Sequence, residues 1–274
     1  MRRVLRHRNL AIGAALSLGL LAMALTSLLW TPYPPTAIDI LHRLAAPGWA
    51  HPLGTDAFGR DELSMVMAGA QSTLSVALIA VGVGAGIGIP LGALASAAGG
   101  WTDALVMRLS DLAFAFPALL TAVMITALAG PGAENAMLAI GIFNIPVFAR
   151  VTRGAALAVR EQDFIMAARA TGRGELGIMR RHVLPNISAV LVVQITIQFA
   201  LAIIADAGLS YVGLGTQPPF PSWGRMLNDA QTYIYHAPLL AVFPGIAITL
   251  AVLGLNLLGD GLRDVLDPRL STRR

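Results

Sequence analysis

The stretch Asp163-Phe-Ile-Met-Ala-Ala-Arg-Ala-Thr-Gly-Arg-Gly-Glu-Leu-Gly-Ile-Met-Arg-Arg-His-Val-Leu-Pro-Asn186 is rich in charge, yet it lies between two long apolar runs. It reads as helix, break, helix. Asp163 suits a cap on the first turn, and Ala167, Ala168 and Ala170 are strong helix formers. Gly172 and Gly174 are expected to stop that helix, because glycine enters left-handed conformations at little cost. A second short helix is expected from Glu175 to His182. Pro185 then suits the first turn of the next membrane helix, where a missing N–H matters little. Small residues on a short helix let another surface come close, and the surrounding arginines keep the segment in water. An ordinary basic loop is the other reading of this composition.

The chain has 274 residues, 56% hydrophobic and 12% charged, against roughly a quarter charged in soluble proteins. An all-α polytopic membrane protein is the direct inference. The formal charge is +4, and every basic residue other than histidine is arginine. Without lysine there is no phosphate-loop lysine and no Schiff base. Without cysteine there is no disulfide, thiolate catalysis or iron–sulfur ligation. The basic residues flank apolar runs, so membrane topology accounts for them better than nucleic acid does.

Residues 1–8 form a basic tail, and 9–30 are uncharged. That run outlasts the roughly 7–15 apolar residues of a signal peptide, so a retained first membrane helix is favoured, with Trp30 and Tyr33 at the far interface. Residues 31–70 are polar and proline-rich. His51, Asp56, Asp61 and Glu62 there could suggest a metal, but a loop folded by Asx turns, with Arg60 on a carboxylate, is preferred. The second span is expected from Leu74 to Ala98, with Pro90 inside it and Gly84, Gly88 and Gly92 making one bare packing face. The third is expected from Ala104 to Ala129, with Arg108 paired to Asp111 and Pro117 inside. The fourth starts near Asn135, contains Pro146 and continues through Arg150 and Arg153 into water. The fifth is Asn186 to Ala205, where Gln194 and Gln198 share a face suited to interhelical hydrogen bonds. Asp206 is expected to cap or brace its far end. Phe220 and Trp223 suggest a rigid loop at the interface, and Ala237 to Gly259 is the sixth span, with Asn256 near its end. Gln194, Gln198, Asp206 and Asn256 are the candidate pathway or gate residues.

The spacing of Ala167-Ala168, Gly172 and Leu184-Pro185 resembles the coupling motif of bacterial ABC importer permeases. Met166 stands where that motif has Glu, and His182 where it has Ile. The His182-x-Leu-Pro-Asn186 ending, His51-Pro-Leu-Gly-Thr-Asp56 with Gly59-Arg-Asp61, Pro218-Pro-x-Pro-Ser-Trp-Gly224 and Asp267-Pro-Arg-Leu270 are similar to the dipeptide, oligopeptide and nickel branch, in particular to its second permease. Within Asp206-Ala-Gly-Leu-Ser-Tyr-Val-Gly-Leu-Gly215 that branch usually begins with Glu, so Asp206 looks like a shortened equivalent. The resemblance implies the type I importer permease fold: six transmembrane helices and a cytoplasmic coupling helix within a 71–260 core, the coupling loop spanning 155–185 and a cytoplasmic tail spanning 261–274. It implies ATPase contact through Ala167, Ala168, Gly172, Glu175, His182, Leu184 and Pro185. It also implies a homologous permease, two ATP-binding subunits and an extracytoplasmic solute-binding protein as partners, besides membrane lipids, with no cofactor, no metal and no nucleic acid.

Topology agrees with that expectation. Four arginines precede residue 9, one is Arg108, seven lie from Arg150 to Arg181 and four follow Gly261, leaving Arg43, Arg60 and Arg225 for the opposite side. Six spans with both ends cytoplasmic satisfy the positive-inside rule. Two rivals are weaker. A secondary transporter or channel should show intramembrane charges or inverted repeats. A membrane hydrolase needs a histidine within a span, and His7, His42, His51, His182 and His236 all lie outside the expected spans.

Overall fold

The computed structural model describes residues 8–266. Arg2, Arg3, Arg6 and the Asp267–Arg274 tail lie outside the described residues. Among the described residues ten α-helices carry the fold: α1 (Arg8–Leu29), α2 (Glu62–Ala98), α3 (Gly100–Phe114), α4 (Ala118–Ala129), α5 (Ala133–Arg160), α6 (Asp163–Ala170), α7 (Glu175–Ile178), α8 (Leu184–Tyr211), α9 (Trp223–Ala230) and α10 (Leu239–Leu266). There is no β-strand among the described residues, only an isolated bridge between Thr55 and Asp61.

Among the described residues, five helical stretches are long and apolar enough to cross a membrane: α1, α2, α5, the continuous Glu175–Tyr211 and α10. The expected third span is not one helix. α3 and α4 meet at 85°, and the break sits at Pro117, whose backbone is extended (φ −60°, ψ 130°). A residue before proline is pushed out of the helical region, so the apolar run continues through the break while the helix does not. Counting the bent pair as one span restores six. The expected Arg108–Asp111 pair is also replaced. Asp111 binds Arg150, and Asp103 binds Arg153, with Arg153 Nη2 2.5 Å from Asp103 Oδ2. Both carboxylates thus fasten α3 to α5, and Arg150 lies 4.6 Å over the Phe114 ring.

α2 begins at Glu62 rather than near Leu74, because Asp61 caps it by accepting from the Ser64 N–H at 2.8 Å. Its glycine face is a packing seam, as expected. Gly84, Gly88 and Gly92 lie against Asn144, Phe148 and Thr152 of α5. A Cβ on Gly88 would stand 2.7 Å from Phe148 Cβ, and one on Gly92 2.8 Å from Thr152 Cβ. Without a hydrophobic drive between helices in lipid, such close approach supplies the van der Waals contact that holds them. A second seam joins α1 to α10. A Cβ on Gly254 would be 2.7 Å from Leu16 Cβ, and one on Gly261 2.6 Å from Leu10 Cα.

At the end of the bundle where α2 begins, residues 31–61 fold over the helix ends. Asp56 Oδ1 accepts from the N–H groups of Phe58 and Arg60, each at 2.8 Å, and Arg60 Nε reaches Asp56 Oδ2 at 2.6 Å. His51 Nδ1 lies 2.9 Å from Asp61. A hydrogen bond from His42 Nδ1 holds the exposed Asp39 carboxyl below its ordinary value. The expected interfacial place of Trp223 is not found. Trp223 is wholly buried, donates from Nε1 to the Val66 carbonyl at 2.9 Å and sits against Gly69. Phe220 alone of that pair faces outward.

Candidate functional site

The polar stretch between α5 and α8 lies at the opposite end of the bundle, beside the end of α2, where Arg160 reaches the Ala97 carbonyl. Asp163 is the first residue of α6 rather than its cap, since Gln162 precedes it in extended conformation and no side chain caps that end. The other end closes as the glycine predicts. Gly172 has φ +80°; its N–H bonds to Arg169 O at 2.9 Å, and the Arg173 N–H to Ala168 O at 3.3 Å. That pair of bonds is a Schellman closure, which requires a left-handed residue at Gly172. Gly174 does something else: with φ −68° it leads into α7 in ordinary extended backbone.

The stretch is held by its own apolar core. Ile165, Ile178, Val183 and Ile187 are buried together with Ala93 of α2 and Ala156 of α5, and Ala168 and Leu184 pack on them. Glu175 bridges two elements, 2.7 Å from Arg160 of α5 and 2.8 Å from Arg169 of α6. His182 Nε2 lies 2.8 Å from Arg173 Nη1. Guanidinium only donates, so Nε2 accepts and the ring proton is on Nδ1. Outward, Ala167, Gly172 and Pro185 are exposed, and no atom lies within 4 Å of a Cβ built on Gly172. Phe164, Met166 and Leu176 add exposed apolar surface around them.

The short helix expected from Glu175 to His182 is not separate from the fifth span. α7 passes through a wide π turn at Met179–Val183 into α8. Pro185 offers no N–H to the preceding turn, and the wider turn absorbs that missing bond. Of the candidate pathway residues, Gln194 and Gln198 stand one turn apart on α8. Gln194 is half-buried, Gln198 buried and Asn256 exposed on α10. Neither glutamine bonds to another helix through its side chain among the described residues. Asp206 lies eight residues beyond Gln198, about 12 Å along the helix. It is not a terminal cap, because α8 continues to Tyr211. It is completely buried, and among the described residues both its oxygens lack a hydrogen-bond partner. Thr73 of α2 and Ser210 stand beside it, and Thr73 Oγ1 is itself unpartnered among the described residues.

Sequence reasoning also missed a cavity of about 240 Å³ at the α2 end, between Asp56–Met65 and Met226–Leu240. Its polar wall is Asp56, Arg60, Glu62 and Asp229. The i,i+4 pair Arg225–Asp229 was the one local signal that α9 carries structured charge.

Five apolar spans and a bent pair, with a small-residue turn exposed beyond them on a self-packed base, define a polytopic membrane protein. The fold is similar to that of a chain of the MetNI methionine ABC transporter solved in inward-facing conformations, with a TM-score of 0.63 and 20% identity over 74% of this chain and 96% of that one. Residues 88–272 match the binding-protein-dependent transport system inner membrane component family, and the chain belongs to it. Among curated relatives, the dipeptide transport system permease protein DppC of Alkalihalophilus pseudofirmus is 43% identical over 84% of this chain and 76% of its own length. The glutathione transport system permease protein GsiD of Pectobacterium atrosepticum is 42% identical over 99% of this chain and 90% of its own.

Proposed function

We propose that this chain is a permease subunit of an ATP-driven ABC importer that carries di- or oligopeptides across the bacterial cytoplasmic membrane. A homologous permease completes the path, two ATP-binding subunits supply the work, and an extracytoplasmic binding protein delivers the solute. Both termini and the α6–α7 turn face the cytoplasm, as the arginine distribution requires. The chain itself is non-catalytic.

The observation that carries the reading is the open turn at Ala167 and Gly172, tied through Glu175 to α5 and continuous with α8. Ala167, Ala168 and Gly172 form the docking face, with Leu184 and Pro185 at the root of the helix it drives and His182 fixing the return of the turn. Closure of the ATPases on ATP moves this face, and the motion passes along α8. Glutathione is the second substrate reading, favoured by the relative that transports it; a nickel or other metal complex is a third, carried by the branch resemblance alone. A secondary transporter or channel is the contrasting class.

Reconstitution decides between them. In liposomes, the chain with its permease and ATPase partners should accumulate labelled peptide only with ATP and the binding protein. Accumulation by the chain alone, driven by an ion gradient, would overturn the proposal.

A further inference from the structure

We infer that the cavity between Asp56–Met65 and Met226–Leu240 binds the free amino-terminal ammonium of the transported peptide, an inference that rests on the peptide reading above. The wall holds three carboxylates, Asp56, Glu62 and Asp229, against one guanidinium, Arg60. Arg60 is already engaged: Nη2 is 2.6 Å from Asp56 and 3.5 Å from Asp229. Asp229 also has Arg225 Nε at 3.0 Å. Asp61, beside Glu62 in sequence, is satisfied by Ser64 and His51. Glu62 has no such partner. It is 2% exposed, and its Oε1 is wholly buried without a hydrogen bond.

A carboxyl removed from water without a partner is costly, and a cation that fits beside it removes that cost. An ammonium brings three donors in a compact head, and Tyr233 and Asn228 share the wall. The peptide's own carboxylate would meet Glu62, the one wall carboxyl without a salt-bridge partner, so the cavity selects the amino end. Its size agrees. About 240 Å³ is below the roughly 300–1,000 Å³ that encloses a whole drug-sized ligand, but suits one terminal residue. Met65, Met226 and Leu240 supply apolar wall for that residue's side chain. The position agrees too, since the cavity lies at the end of the bundle away from the docking turn, where solute enters.

The test uses the complete transporter in lipid nanodiscs without its binding protein, probed with radiolabelled dialanine and N-acetyl-dialanine. The wild type should bind the free amine roughly tenfold or more tightly, and Glu62→Gln and Asp229→Asn should each bring the ratio close to one. A wild type that shows no preference, or that fails to bind dialanine, overturns the inference, as does a preference intact in both variants. ATP-driven uptake of dialanine by the wild type with its binding protein is measured alongside. If uptake fails, the peptide reading falls; if uptake succeeds without an amine preference, only the cavity assignment falls.

Discussion

Replacing Gly172 separates backbone strain from docking. A methyl group added there meets open space, so the free subunit feels only the backbone, held at φ +80°. An L-alanine in that region costs about 1–2 kcal/mol. Asparagine tolerates it better and should cost a few tenths to about 1 kcal/mol. A partner surface fitted to the bare turn responds in the opposite order, because asparagine projects further than alanine. Gly172→Asn should therefore unfold close to the wild-type temperature yet bind the ATPase pair roughly tenfold or more weakly, a loss of about 1.4 kcal/mol. Gly172→Ala should unfold earlier, by about 2–4 °C per kcal/mol for a chain of this size, and lose less affinity. Thermal unfolding of the free subunit and titration of the ATPases onto nanodiscs give the two numbers. Wild-type affinity in Gly172→Asn would refute the docking face, and equal destabilisation by both variants would refute the strain argument.

Gly88→Leu should separate α2 from α5 and abolish a single sharp unfolding transition, whereas Gly88→Ala should cost about 1–3 kcal/mol by overpacking, read from unfolding midpoints. Trp223→Phe keeps most of the ring but removes the N–H that donates to the Val66 carbonyl, so a loss of about 1 kcal/mol is expected; Trp223→Ala should cost about 3–5 kcal/mol. Asp206→Asn should leave stability unchanged or raise it, since an amide removes an unpartnered buried acid; if it also lowers uptake, Asp206 is retained for transport rather than for folding. Arg153→Ala should free Asp103 and loosen α3 from α5, detectable as faster hydrogen exchange in residues 100–114.

How legible the molecule was depends on whether a signal is local. The run of glycines at Gly84, Gly88 and Gly92 announced a packing face because one helix face carries the whole period, though not that α5 would fill it. The α1–α10 seam was invisible, since Gly13 and Gly254 come from opposite ends of the chain and neither helix has a repeating stripe at the contact. Gly172 was readable because a left-handed closure needs glycine, and the Schellman bonds follow from it. The π turn before Pro185 was not, because nothing in Met179-Arg-Arg-His-Val183 distinguishes a wide turn from an ordinary helical one. Trp223 misled for a physical reason: an aromatic with a polar edge suits both an interface and a buried carbonyl, and only the nearby Val66 decides. Asp206 looked terminal because the charge-free run ends there, yet the helix does not. The Glu62 cavity joins residues far apart in sequence, and only folding brings them into one wall.

The unbroken Glu175–Tyr211 helix is 37 residues long, so it measures roughly 55 Å, more than the bilayer with its headgroups. Pivoted at one tip by about 5°, a rigid body of that length sweeps the other tip through roughly 5 Å. Its remote tip does not end in empty space: the Tyr211 carbonyl accepts from Asn228 at 2.6 Å, and Ala207 lies against Gly224. Both contacts belong to α9, which also bears Asp229. A small swing imposed where Glu175 is gripped would therefore drag the acidic mouth on the far side of the membrane, opening or pinching it without any further moving part.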